Sequence, residues 1–73
     1  NALTVEVTLQ RPSKLSLKLF NSIGNDSGSW QLDEETSFHK TELNMSDLTG
    51  GVYLLQAQAG KQKVVKRVVK IQY

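Results

Sequence analysis

The chain has 73 residues, of which 38% are hydrophobic and 22% are charged, and its formal net charge is +2. This length allows a single small domain, and the composition is typical of folded chains rather than disordered ones. The absence of cysteine excludes disulfide frameworks, thiolate metal sites and cysteine nucleophiles. The single histidine, His39, excludes a multi-histidine metal site. No apolar run approaches the roughly 20 residues of a membrane-spanning helix, so we expect no membrane insertion.

Positive charge is concentrated at the end of the chain. Residues 1–36 carry three basic and five acidic side chains, whereas residues 37–73 carry six basic and two acidic ones. No acid follows Asp47, but five basic residues do: Lys61, Lys63, Lys66, Arg67 and Lys70. Such a stripe either protects the edge strand of a sheet, which is the interpretation we favour, or binds an anionic partner. We expect no nucleic acid partner, because no aromatic residues are interleaved with the basic ones to stack on bases.

Alternation of apolar and polar residues predicts strands from the start of the chain. Residues 3–10 and 15–20 each predict a strand. Arg11-Pro12-Ser13 predicts a break between them, because proline cannot continue a hydrogen-bonded ladder, and this short connection predicts an antiparallel hairpin. Residues 21–28 are dense in turn formers and predict a loop.

The second half of the chain predicts further strands, over residues 29–33, 38–45, 52–59 and 62–72. Polar residues 34–37, residues 46–51 and Gly60-Lys61 predict the turns between them. The last segment also fits a basic amphipathic helix, because its four valines recur at helical spacing. Since β-branched residues favour strands, we predict a strand there. About six short strands without a strong helix predict an all-β sandwich.

The apolar side of each alternating run predicts the core. The residues expected to be mostly buried are Leu3, Val5, Val7, Leu15, Leu17, Leu19, Leu43, Tyr53, Leu55, Val69 and Ile71. Tyr53 follows a Gly-Gly pair at the start of a strand, as in the tyrosine corner of some β-sandwiches. We therefore expect either that its hydroxyl bonds the backbone of residues 46–51, or that it is an ordinary core tyrosine with a hydrated hydroxyl.

The sequence gives little support for catalysis or for a cofactor. There is no Gly-x-Ser-x-Gly motif, and His39 has no clear serine or acid partner. Asp33, Glu34 and Glu35 could bind a hard cation, but three successive carboxylates do not by themselves converge on one point. We predict a solvated turn there, no metal site and no enzyme activity.

Several stretches carry a resemblance to a known family. Residues 43–55, followed by Gly60-Lys61 and the valine- and lysine-rich residues 64–70, are similar to the C-terminal sorting domain of type IX secretion substrates in Bacteroidetes. Residues 3–7 and 14–24 match the first half of that family. The most specific parts of the match are the Gly51-Val52-Tyr53 step and the lysine-rich strand at the end.

The sequence departs from the family at two places. The family usually opens with a Pro-Asn-Pro element before the position of Asn1, so we expect residues 1–73 to be one domain that lacks its first N-terminal element. After Gly24 the family commonly continues with lysine or glutamine and apolar residues, whereas this chain has Asn25-Asp26-Ser27-Gly28.

The resemblance implies an immunoglobulin-like antiparallel β-sandwich of about six or seven short strands at the end of a larger exported protein. It implies a non-catalytic sorting signal that the type IX outer-membrane translocon reads and a sortase-like peptidase usually removes. The parent protein would reach the cell surface or the medium through the periplasm and outer membrane. The oligomeric state stays open.

On this interpretation the recognition residues lie near the chain's end. The candidates are Gly51, Tyr53, Lys63, Lys66, Arg67, Val69, Lys70 and Ile71. The alternative functions are an adhesion or carbohydrate-binding module, a structural spacer and, supported by the charge stripe alone, a basic nucleic-acid binder. A sugar platform would need exposed aromatic rings, for which Trp30 and Phe20 are the candidates.

Overall fold

The computed structural model describes residues 2–71 and contains four antiparallel strands in one sheet. The strands are β1 (Ala2–Asn21), β2 (Asp26–Asn44), β3 (Gly51–Ala59) and β4 (Gln62–Lys70). Their order across the sheet is β2-β1-β3-β4. The all-β prediction is confirmed, and residues 62–70 form a strand rather than a helix. Within residues 2–71 no helix has the length and apolar character needed to cross a membrane.

The predicted hairpin between residues 3–10 and 15–20 is wrong, because Arg11-Pro12-Ser13 lies inside the continuous strand β1. The register shifts here: β1 advances from Thr8 to Ser13 while β2 advances only from Phe38 to Thr36. Pro12 therefore lies in a bulge, where a missing N–H costs no ladder hydrogen bond.

The turn predicted over residues 34–37 is also wrong, because these residues lie inside β2. They form a second register shift, in which β2 advances from Thr36 to Leu32 while β1 advances from Ser13 to Leu15. The loop predicted over residues 21–28 shrinks to residues 22–25. The two adjacent shifts bend both long strands at the same level, since bulges bend a strand and increase its twist.

The bend brings both halves of β1 to a single core. Residues 2–8 pair with β2 alone, whereas residues 16–21 also pair with β3. The buried cluster consists of Leu15, Leu17, Leu19, Leu43, Met45, Tyr53 and Leu55, and Leu3, Val5 and Val7 from the first half of β1 pack against it. Burial is confirmed for all of the predicted core residues except two groups: Leu3, Val5 and Val7 are half-buried, and Val69 and Ile71 are exposed.

The predicted burial of Val69 and Ile71 is wrong: 56% of Val69 and 63% of Ile71 is exposed. Val69 pairs with Val52, whereas its neighbour Val68 pairs with the buried Tyr53. Paired residues share a face of the sheet, so Val68 faces the core and Val69 faces away from it. A one-residue error in phase exchanges the two faces of a strand completely.

We expect Leu17→Ala to lower the free energy of unfolding by about 2–5 kcal/mol, because Leu17 is fully buried and the chain cannot collapse around the cavity completely. The matched control is Leu54→Ala on the opposite face, which should cost about 1 kcal/mol or less because 43% of Leu54 is already exposed. Urea denaturation measures both. Equal losses would contradict the assignment of the two faces.

Candidate functional site

The basic end of the chain forms the edge strand β4. Among the described residues it pairs with β3 alone, so its other edge has no strand partner. Four of its nine residues are basic and none is acidic: Lys63, Lys66, Arg67 and Lys70. Edge strands commonly carry lysine, because charge discourages pairing with another sheet edge.

The turn before β4 determines which of its backbone groups are free. Gly60 has a φ of +60°, and no residue other than glycine has a positive φ in the described chain. This arrangement matches a two-residue type II′ hairpin turn, in which Ala59 and Gln62 bond each other. Since hydrogen-bonded and non-bonded pairs alternate, the N–H and C=O groups of Lys63, Val65, Arg67 and Val69 point to the free edge.

The same four residues carry their side chains on the face away from the core. Their partners on β3 are Gln58, Gln56, Leu54 and Val52. We call the exposed surface formed by Lys63, Val65, Arg67 and Val69 the β4 outer face. It combines two basic side chains with two valines that are 51% and 56% exposed. Exposed apolar surface next to charge is typical of protein interaction sites.

Tyr53 lies in the core and supports a loop. Its side chain is buried, and its hydroxyl donates a hydrogen bond of 2.6 Å to the carbonyl oxygen of Thr49. The predicted hydroxyl bond to the backbone of residues 46–51 is therefore confirmed. Because its side chain is buried, Tyr53 presents little surface to a partner and instead stabilises the position of this loop.

Lys70 supports the same loop from the end of β4. Its ammonium group donates hydrogen bonds to the carbonyl oxygens of Met45 and Leu48. The backbone N–H of Leu48 also donates to the carbonyl of Met45, at 3.1 Å, which closes a turn. An ammonium group has three donors and no acceptor, so it suits a site of converging carbonyls.

The eight candidate recognition residues therefore divide into groups. Lys63, Arg67 and Val69 lie together on the β4 outer face, and Lys66 is exposed on the other face of the strand. Tyr53 and Lys70 bond backbone carbonyls of the loop before β3. Ile71 is exposed after the end of β4, and Gly51 lies two residues before Tyr53. With a φ of +152°, Gly51 adopts a backbone conformation that other residues rarely reach.

Val65 completes the surface and was not among the candidates. Its free backbone groups and its 51% exposed side chain lie between Lys63 and Arg67. The signal that finds it is the phase of the strand, because Gly60 fixes which residues alternate outward.

The other polar residues that the sequence offered for catalysis or metal binding, His39 and residues 33–35, lie on β2. His39 is buried, and its Nε2 lies 2.7 Å from the carbonyl oxygen of Ser13, so the ring fastens the bulge of β1 to β2. In residues 2–71 no three His, Asp or Glu side chains are placed to hold a metal ion together. The acidic residues 33–35 are exposed on β2.

The two rings considered for a sugar platform lie on opposite faces of the sheet. Trp30 pairs with the buried Leu17 and lies partly over Gly28, where an added Cβ would approach the ring to 2.7 Å. Phe20 pairs with the exposed Leu54. Rings on opposite faces cannot stack on one sugar chain together.

Comparison with known proteins gives one finding on the family. The model of the secretion system C-terminal sorting domain matches residues 1–72, which is essentially the whole chain. No curated protein and no solved structure matches the chain.

We expect Tyr53→Phe to lower the free energy of unfolding by about 0.5–1.5 kcal/mol, because the change removes one hydrogen bond to Thr49 and leaves the ring in the core. Thermal and urea denaturation measure the loss. An unchanged midpoint would show that the hydroxyl does not stabilise the loop.

A second prediction distinguishes the structural roles of two lysines in β4. Lys70→Met should cost about 1–3 kcal/mol, because it leaves the carbonyls of Met45 and Leu48 without their charged donor. Lys63→Met is the matched control and should change stability by about 0.5 kcal/mol or less, since Lys63 is exposed. If the two variants gave the same denaturation curve, the structural role of Lys70 would be contradicted.

Proposed function

The chain belongs to the secretion system C-terminal sorting domain family, and we propose that its sorting signal is read on the β4 outer face. Domains of this family are the C-terminal sorting signals of type IX secretion. They mark proteins for export across the outer membrane to the cell surface or the medium. The observation that carries the proposal is that free backbone groups, two basic side chains and two exposed valines coincide on one strand.

This proposal assigns recognition to Lys63, Val65, Arg67 and Val69. An edge strand can bind a partner through its main chain while its side chains select which partner binds. Arg67 and Lys63 have the same orientation and are four residues apart, so they present two positive charges about 13 Å apart along the strand. Fixed charges at this spacing favour an acidic receptor surface and speed its encounter.

We further propose that the domain is an immunoglobulin-like sandwich of six or seven short strands. The bend divides β1 and β2 into two halves each, which with β3 and β4 amounts to six short segments. Both halves of β1 contact the same buried cluster, as the two layers of a sandwich do.

The partners in this proposal are the outer-membrane translocon, a sortase-like peptidase and the parent protein to which the domain is joined. The family is non-catalytic in general. The domain therefore acts as a rigid address, and the loop held by Tyr53 and Lys70 keeps the end of β4 in place. Binding, rather than chemistry, is its contribution.

The test is export of a reporter joined to this chain in a bacterium with type IX secretion. Lys63→Gln combined with Arg67→Gln should lower the amount of reporter outside the cell by about tenfold, because it removes both charges of the β4 outer face. The matched control is Lys14→Gln combined with Lys40→Gln. It removes two exposed positive charges that lie on β1 and β2 rather than on β4.

Each variant must also be folded, which circular dichroism of the purified chain establishes. Normal export of the folded Lys63/Arg67 variant would refute the assignment. Equal loss in both variants would show that total charge, rather than this surface, determines export.

A further inference from the structure

A groove runs between the first half of β1 and β4. Its central part is lined by Val5 and Val7 on one side and by Val64 and Lys66 on the other, over a floor that includes Leu55, and has a volume of about 280 Å³. The groove continues towards the β3–β4 turn, where Leu9 of β1 lies opposite Gln62. Both walls are sheet edges, because within the described chain residues 2–8 pair on one side, with β2, and β4 pairs on one side, with β3.

The walls are too far apart to pair with each other. No Cα of β1 lies within 8 Å of a Cα of β4. Paired strands are about 4.8 Å apart. The two walls of the groove are therefore not paired with each other, and both have backbone groups without a strand partner in the described chain.

We infer that this groove binds an extended segment of a partner protein, in which apolar and acidic residues alternate, as a strand added to the free edge of β4. The inference rests on the proposed role of β4 as the recognition strand and specifies the chemistry of what it recognises. Strand addition is a common mode of peptide recognition, in which the main chain supplies affinity and alternate side chains supply specificity.

Alternation follows from the two faces of the added strand. Side chains that point to the core face meet an apolar surface formed by Leu55, Ala57 and Val64. Side chains on the opposite side lie next to Lys63 and Arg67 on the β4 outer face. Apolar residues suit the first set of positions and carboxylates suit the second, because opposite charges on adjacent strands stabilise a pair.

Charge also argues for a partner rather than a second copy bound through the same strand. Two β4 strands side by side would bring basic residues together, since β4 has four basic residues and no acid. The other edge of the sheet, β2, has five acidic residues and one lysine. A head-to-tail contact between β4 and β2 of another copy is therefore the competing occupant, and its test is the oligomeric state.

The probe is an acetylated and amidated peptide of sequence Thr-Val-Glu-Val-Glu-Val-Thr, titrated into the 73-residue chain by calorimetry. When the peptide adds antiparallel to β4, its two glutamates lie opposite residues of β4 whose backbone N–H and C=O groups point to the free edge. The N–H groups of the glutamates therefore face β4. N-methylation of these glutamates should weaken binding by about tenfold or more. N-methylation of two valines, whose N–H groups face the edge of β1, is the comparison. It should weaken binding by about threefold or less, because the segment pairs with β4 rather than with β1.

Two variants test the groove from the side of the domain. Val64 is 53% exposed and lines the groove, whereas Leu54 is 43% exposed and lies on the opposite face of the sheet. Val64→Asn places a polar group on the groove wall and should weaken peptide binding by about tenfold, whereas Leu54→Asn should weaken it by about threefold or less. Because both side chains are partly exposed and lie in strands, the pair also controls for strand propensity.

Amide hydrogen exchange locates the bound peptide. The amides of Lys63, Val65, Arg67 and Val69 should become protected when the peptide binds, while those of Val64, Lys66 and Val68, already paired with β3, should change little. Protection along β2 instead, equal loss from both N-methylated peptides, or no binding would overturn the inference. Concentration-dependent association of the chain alone, seen by sedimentation, would favour the β2–β4 contact and also overturn it.

The outcomes are separate from those of the export test. If Lys63 and Arg67 are required for export but the peptide does not bind, the sorting assignment stands and strand addition is refuted. If the peptide binds with the expected pattern but export is unchanged in the Lys63/Arg67 variant, the groove is a strand-binding site and the assignment of the export signal is refuted.

Discussion

The bend that β1 and β2 share is the constraint on which the rest of this small sheet depends. A flat four-stranded sheet would expose one apolar face to water, whereas the register shifts near Pro12 and residues 33–37 bend both strands together. Apolar residues of the first half of β1 pack against the buried cluster to which the second half contributes, so that one core receives side chains from both. The bond between His39 and the carbonyl of Ser13 spans this bend from within the core.

The bent sheet encloses the core incompletely. Continuous strands join the two halves of the sheet on one side, but on the other side the edge of β1 and the edge of β4 have no strand partner among residues 2–71. A domain of this size buries a modest fraction of its surface, so each edge is a large part of what remains exposed. The recognition that we propose at an edge therefore depends on how the core is enclosed.

Sequence alternation predicts β3 and β4 to within a few residues, and it predicts most of the buried leucines. It fails at Pro12, because whether proline ends a strand or lies in a bulge depends on the strand opposite, which is distant in the sequence. It also fails on the phase of β4. Val64-Val65 and Val68-Val69 place a valine on both faces, so hydrophobic pattern alone cannot distinguish them. Gly60 decides the phase through the turn.

The candidate site was predictable as a basic strand but not as a surface. Charge identifies Lys63, Lys66, Arg67 and Lys70, yet the fold uses them in three ways. Lys70 bonds carbonyls of a loop, Lys66 lies at the groove, and only Lys63 and Arg67 share the outer face. These differences depend on strand pairing and on loop geometry that lies more than 20 residues away in the sequence.

Protection of an edge and recognition of a partner have the same physical basis in β4. Positive charge along a strand opposes pairing with any edge of like or neutral character, which keeps the chain from aggregating. The same positive charges favour pairing with an acidic strand, because opposite charges on adjacent strands attract each other. An edge that is basic along its whole length, with valines between the charges, therefore disfavours pairing with most strands, and the strand addition that we propose requires an acidic one. In this proposal the property that prevents indiscriminate association also makes the edge selective.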